Sequence, residues 1–174
     1  HDQAWELDLT QDTAYACAMK LGLISDTHGH VPNAVHAALA GVDYILHAGD
    51  VGPMDVITEL EAIAPVHAVL GNTDYAIALP ETRVEEFAGK TILIHHIVDV
   101  EYPSQTVREL LSTEKPDLVV FGHTHMPFDE RRNGIRFINP GSASQPRGGT
   151  VASVAILDFT GDTPSLKSIA LVDS

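Results

Sequence analysis

Short apolar runs alternate with helix-like stretches along the first two thirds of the chain. Lys20–Ser25 reads as a strand, and Pro32–Ala40 as a helix with proline in its first turn and Gly41 just beyond it. Tyr44–His47 is strand-like. Pro53–Ala64 sets Met54, Ile57, Leu60 and Ile63 on one helical face, and Pro65 stops it. Val66–Leu70 and Thr91–His95 read as further strands. Val107, Leu110 and Leu111 mark a helix after Pro103, and Leu118–Phe121 is again strand-like. This alternation predicts parallel strands joined by crossover helices.

The last third changes period. Phe128–Arg132 and Ile135–Ile138 flank Asn133-Gly134, a hairpin signal. Val151–Phe159 and Leu166–Val172 flank Thr160-Gly161-Asp162 and predict a second hairpin. No helix is evident after about residue 115. An α/β front half therefore joins a more antiparallel back half. With no Gly/Ser linker, repeat or low-complexity segment, residues 19–174 are expected to form one domain. Residues 1–18 contain no Lys or Arg and read in two ways. They are either an extension, native or vector-derived, ahead of a natural start at Met19, or they supply an added edge strand from Ala4 to Leu9.

The polar residues collect where the strands end. Asp26-Thr27-His28-Gly29-His30 follows the first strand, and the second runs through His47 into Gly49-Asp50. Gly71-Asn72-Thr73-Asp74 follows the third. His95-His96 and Gly122-His123-Thr124-His125 follow the next two. In an open parallel sheet these ends share the edge where ligands bind. Taken singly, each fragment reads as an ordinary turn or solvated loop. Gly-His-x-His is the most specific, because residues i and i+2 of an extended segment share a face. Five such ends in succession point to a metal site.

Composition narrows the chemistry. The 174 residues are 44% hydrophobic, enough for one sizeable core, and include ten His but a single Cys. That excludes a disulfide framework and any thiolate-rich metal site. A formal charge of −14 argues against stable nucleic-acid binding, which needs a basic face. No apolar run reaches about 18 residues, and no basic start precedes an apolar segment, so a cytoplasmic location away from membranes is expected.

The ordered set D-x-H, G-D, G-N-x-D, a strand-ending His and G-H-x-H resembles the calcineurin-like metallophosphoesterases, in particular the small YfcE-type phosphodiesterases. The likeness runs from Lys20 to about Arg147, and Asn139-Pro140-Gly141-Ser142 matches a segment of the same subgroup. It implies a four-layer α/β/β/α sandwich with mixed sheets and two divalent ions, Mn foremost, with Fe, Zn, Ni or Co as alternatives. It assigns Asp26, His28, Asp50 and His125 to one ion, and Asp50, Asn72, His95 and His123 to the other, with Asp50 as the bridge. It further implies hydrolysis of a small phosphate ester, a diester foremost, through in-line attack by a metal-bridging hydroxide. Asp50 and Asn72 then count as catalytic as well as ligating.

Three departures qualify this. Thr73 stands where many relatives carry a His credited with protonating the leaving group, which leaves His30 as a candidate acid. Relatives have His-Gly where this chain has His95-His96. Register with the strand favours His95 as the ligand, and leaves His96 as a substrate or supporting contact. His47, three residues before Asp50, reads as a supporting group or as a packed strand-end residue. Arg147 is a candidate substrate contact, with an ordinary surface role as its rival. His1, His36 and His67 call for no function. A metal-binding scaffold or sensor on the same fold and a phosphomonoesterase stay open as alternative functions, and a homo-oligomer stays open as an assembly.

Overall fold

The computed structural model describes residues 18–172, so both readings of the N-terminal stretch, the extension and the expected edge strand from Ala4 to Leu9, fall on residues outside those described, Ala18 apart. Strands and helices follow in the order β1 (Lys20–Ile24), α1 (Ala34–Ala38), β2 (Tyr44–His47), α2 (Asp55–Glu61), β3 (Val66–Ala68), β4 (Thr82–Phe87) and β5 (Lys90–His95). They continue as α3 (Gln105–Glu114), β6 (Leu118–Val120), β7 (Pro127–Arg132), β8 (Ile135–Pro140), β9 (Ser153–Asp158) and β10 (Ser165–Ala170). Two five-stranded sheets result, ordered β10-β9-β1-β2-β3 and β4-β5-β6-β8-β7. Strands β1–β2–β3 and β5–β6–β8 are parallel, with β3 at an edge, and β9, β10, β4 and β7 pair antiparallel.

Period-two alternation explains the layering. Leu21 and Leu23 of β1 and Leu46 of β2 point one way, onto Ile92 and Ile94 of β5 and Val120 of β6, and fill the space between the sheets. Ile24 and Ile45 point the other way, beneath Val35 and Leu39 of the α1 segment and Ile57 and Leu60 of α2. Leu93 and Val119 face Val107 and Leu110 of α3. The order is therefore helix, sheet, sheet, helix, the predicted sandwich. Leu21, Leu23, Ile92 and Ile94 are fully buried, each contributing about 1.5–3 kcal/mol through loss of water contact.

Several boundaries differ from the sequence reading. The first helix is only Ala34–Ala38, with Asn33 as its N-cap residue. Strand β4 was not foreseen: its Thr-Arg-Val-Glu-Glu-Phe sequence is mostly polar because it is an edge strand with one partner, β5. The hairpin at Asn133-Gly134 forms as expected, both residues having positive φ, +51° and +81°. The two late hairpins do not make a separate antiparallel half. β7–β8 completes one sheet through parallel pairing of β8 with β6, and β9–β10 returns to pair with β1 in the other. No helix among the described residues is long and apolar enough to cross a membrane.

Candidate metal centre

The five polar strand ends do meet, but across two sheets rather than along one. β1, β2 and β3 deliver theirs from the first sheet, β5 and β6 from the second. The chain must reverse sharply to aim side chains there. Asp26, His28, Asp50, His123 and His125 all have positive φ, between +46° and +68°. A left-handed residue with a side chain costs on the order of 1 kcal/mol, and such strain clusters at functional sites. Close approach also needs glycine at two points. A Cβ on Gly71 would overlap the Asp50 backbone and carboxylate, and one on Gly122 would overlap Ser25 Oγ and crowd Asp26.

Asp26, His28, Asp50 and His125 each offer an atom within 4.8 Å of the others'. His125 Nε2 lies 3.2 Å from Asp26 Oδ1 and 3.3 Å from His28 Nε2. Beside them, Asn72 Oδ1 lies 3.0 Å from His123 Nδ1 and 3.1 Å from His96 Nε2. His96 Nε2 is in turn 3.3 Å from Asp50 Oδ2, so Asp50 stands between the two groups.

The hydrogen bonds behind these atoms determine what they can do. His125 Nδ1 donates to Gln145 O at 2.6 Å, and His96 Nδ1 donates to Ala48 O at 2.7 Å. A carbonyl only accepts, so in the neutral rings both Nε2 atoms present lone pairs toward the centre. There they face the carboxylate oxygens of Asp26 and Asp50 and the amide oxygen of Asn72. Acceptors aimed at acceptors repel one another, and cations or protons between them relieve this. The donors are oxygen and imidazole, with no thiolate, and so suit divalent ions of the first transition row. The residues present therefore fit the metal group the sequence implied.

Burial pushes the Asp26 carboxyl up to about 6, against the opposing pull of the Ser25 hydroxyl and of His96. Burial would raise Asp50 too. The Thr73 N–H (2.9 Å from Asp50 Oδ1), the Thr73 hydroxyl and the nearby His96 and His28 outweigh it and hold Asp50 below the usual carboxylate range. Burial drives His47 down to about 3. Its Nδ1 accepts from Gly49 N–H (3.2 Å), so Nε2 carries the proton and donates to Thr27 Oγ1 (2.9 Å), which donates to Val51 O (2.8 Å). His47 thus stays neutral and ties the first polar loop to the second.

The His95-His96 pair falls the other way from the sequence expectation. Ile92 and Ile94 face the space between the sheets, and His96 continues that face toward Asp50. His95 pairs across the ladder with Thr82, and its Nδ1 lies 2.8 Å from Thr82 Oγ1. His96 shares the even-numbered face of Ile92 and Ile94, but Leu93 on the other face is buried too, so alternation alone does not say which face meets the other sheet. Burial, outweighing Glu81, lowers His95 below the usual imidazole range. His30 is exposed, and its backbone N–H closes a turn on Thr27 O. Arg147 is also exposed, with its backbone N–H bonded to His125 O at 3.4 Å.

Supporting residues were missed. The Asp74 carboxylate accepts the N–H groups of Val51 (3.0 Å), Gly52 (2.9 Å) and Gly71 (2.8 Å), which locks the second and third polar loops together. Ser142 Oγ donates to Asp26 O at 2.8 Å, and Ser144 Oγ to Thr27 O at 2.8 Å. Asn139 Nδ2 donates to Gly122 O at 2.9 Å. The Asn139–Ser142 segment is therefore a brace behind the loops that carry Asp26 and His123.

Comparison with known proteins identifies the family. The calcineurin-like phosphoesterase superfamily domain matches residues 19–162. A probable metallophosphoesterase of Methanothermobacter thermautotrophicus is 40% identical over 152 residues, 83% of this chain and 88% of that protein. Phosphodiesterase YfcE of Escherichia coli K12 is 32% identical over 168 residues, 80% of this chain and 88% of that protein. The structure of vacuolar protein sorting 29 from Cryptosporidium parvum shares the fold at 22% identity, with a TM-score of 0.71 over 88% of this chain and 98% of that one.

Proposed function

Because this chain belongs to the calcineurin-like phosphoesterase superfamily, we propose that it hydrolyses small phosphate esters, diesters foremost, at a two-metal centre. Asp26, His28, Asp50 and His125 hold one ion in this reading. Asp50, Asn72, His96 and His123 hold the other, His96 replacing the His95 of the sequence expectation. The observation that carries it is the convergence of lone pairs, with His96 and His125 fixed from behind by carbonyl groups. A pair of divalent ions would supply charge to the phosphoryl oxygens and bring the pKa of a water into the neutral range. The protein's own part is to orient the ligands, keep Asp50 ionised and hold His47 neutral. Two ions against two carboxylates make a net positive spot in an acidic protein, which favours a phosphate anion. Exposed His30 serves as proton donor to the leaving oxygen, and exposed Arg147 as a contact for the phosphate.

The test is to strip the protein of metal, add back each divalent ion and assay bis(p-nitrophenyl) phosphate beside p-nitrophenyl phosphate. Diester turnover with Mn²⁺ or a similar ion is expected, along with two bound ions per chain by native mass spectrometry. Asp50→Asn should abolish both ions and turnover. Bound metal without turnover of either ester would turn the reading to a scaffold or sensor, and turnover of the monoester alone to a phosphomonoesterase.

A further inference from the structure

The metal centre lies between two unlike recesses. Past His123 opens a groove of about 660 Å³, within the range of small-molecule sites. Val98, Phe121, Met126 and Phe128 give it an apolar wall. Its charged lining groups are Asp99 and Glu101, and among the described residues no Lys or Arg lines it. Asp99 is fixed in place, its Oδ1 accepting the N–H groups of Glu101 (3.0 Å) and Tyr102 (2.8 Å). Past Asn72 opens a smaller recess of about 270 Å³, where Asp74, Glu81 and His95 are polar. His123 belongs to the groove, Asn72 to the recess, and the two touch each other at the centre.

An ester bound at the centre therefore has a distinct space on each side. We propose that the groove binds one organic arm of a phosphodiester, an apolar body that is uncharged or cationic, and that it rejects anionic arms. This rests on the phosphoesterase reading and adds the substrate class to it. The reasons are shape, apolar lining and charge. An aromatic or branched aliphatic group gains by leaving water against Phe121 and Phe128. A second phosphate or a carboxylate would meet Asp99 and Glu101, and the nearby cation Arg132 is already shared between Glu101 (3.5 Å) and Glu130. A monoester would leave one of the two spaces unfilled.

Direct binding tests this apart from turnover. The Mn²⁺-loaded full chain is titrated calorimetrically with diphenyl, dimethyl and bis(4-carboxyphenyl) phosphate. Diphenyl phosphate should bind about tenfold tighter than dimethyl phosphate, from the apolar area it buries. Met126→Asp, at a partly exposed side chain, should erase that preference by weakening diphenyl phosphate far more than dimethyl phosphate. Ile97→Asp at the mouth is the second variant should Met126→Asp not fold. Glu101→Lys should strengthen binding of the bis-carboxylate severalfold and leave diphenyl phosphate within about twofold. Equal affinity for the aryl and methyl diesters, or equal loss of both in Met126→Asp, would overturn the proposal. Aryl preference in binding without turnover under any ion would sink only the hydrolase reading. Turnover without aryl preference would sink only the groove.

Discussion

His47 offers the sharpest physical test, because its burial has a sign and a size. The ring is fully buried and neutral, with its titration moved from 6.5 down to about 3. Protonation would put a charge in a dry site and turn Nδ1, which accepts from Gly49, into a donor facing another donor. Between those two pH values the unfolded chain binds a proton at His47 and the folded chain does not. The contribution to stability is thus intact above pH 6.5 and is lost as pH falls toward 3. One such proton gives a slope of about 1.4 kcal/mol per pH unit. Acidifying from about pH 6.5 to about pH 5 therefore costs roughly 2 kcal/mol, or about 4–8 °C in Tm for a chain of this size. The assay is urea unfolding of chelator-treated protein across that range, wild type against His47→Gln. The Gln amide is able to accept from Gly49 and donate to Thr27, so the variant should fold but lack the titration. Asp26 works in the opposite sense: raised to about 6, it contributes stability below 3.8 that is lost as pH rises through 6. It is common to both proteins and cancels in the difference. Equal pH slopes in wild type and His47→Gln would refute the reasoning.

Other perturbations have equally definite outcomes. His96→Ala should lose one of two bound ions and His95→Ala neither, as counted by native mass spectrometry; the reverse would return the ligand role to His95. Asp74→Ala strips acceptors from three backbone N–H groups, and should cost about 2–4 kcal/mol in urea unfolding and about 10–100-fold in metal affinity by calorimetry. Gly122→Ala drives a methyl group into Ser25 and Asp26, and should destabilise by about 1–3 kcal/mol while abolishing metal binding. Chelation should lower Tm, since ions held only by the folded state contribute about 2.7 kcal/mol at a hundredfold excess over Kd.

Much of this protein was determined locally and could be read from the chain. Alternation in Lys20–Ile24 and Lys90–His95, the Asn133-Gly134 turn, and the Asp, Asn and His residues at the strand ends are short-range features. They depend on backbone period and turn chemistry, which neighbouring residues impose. That was enough to anticipate parallel strands with crossover helices and a polar centre at the strand ends, while the sandwich was expected from the family resemblance alone. Tertiary structure decided the rest. Which of His95 and His96 faces the centre depends on how β5 lies against β4 and against the other sheet. The mostly polar β4 acquires its meaning only as an edge partner of β5. The braces from Ser142 to Asp26 and from Ser144 to Thr27 span more than a hundred residues of chain. The apolar groove exists only where the segments around Val98, Phe121 and Phe128 come together beside His123. Such features arise from packing between distant segments, and no local pattern encodes which distant partner a side chain will meet.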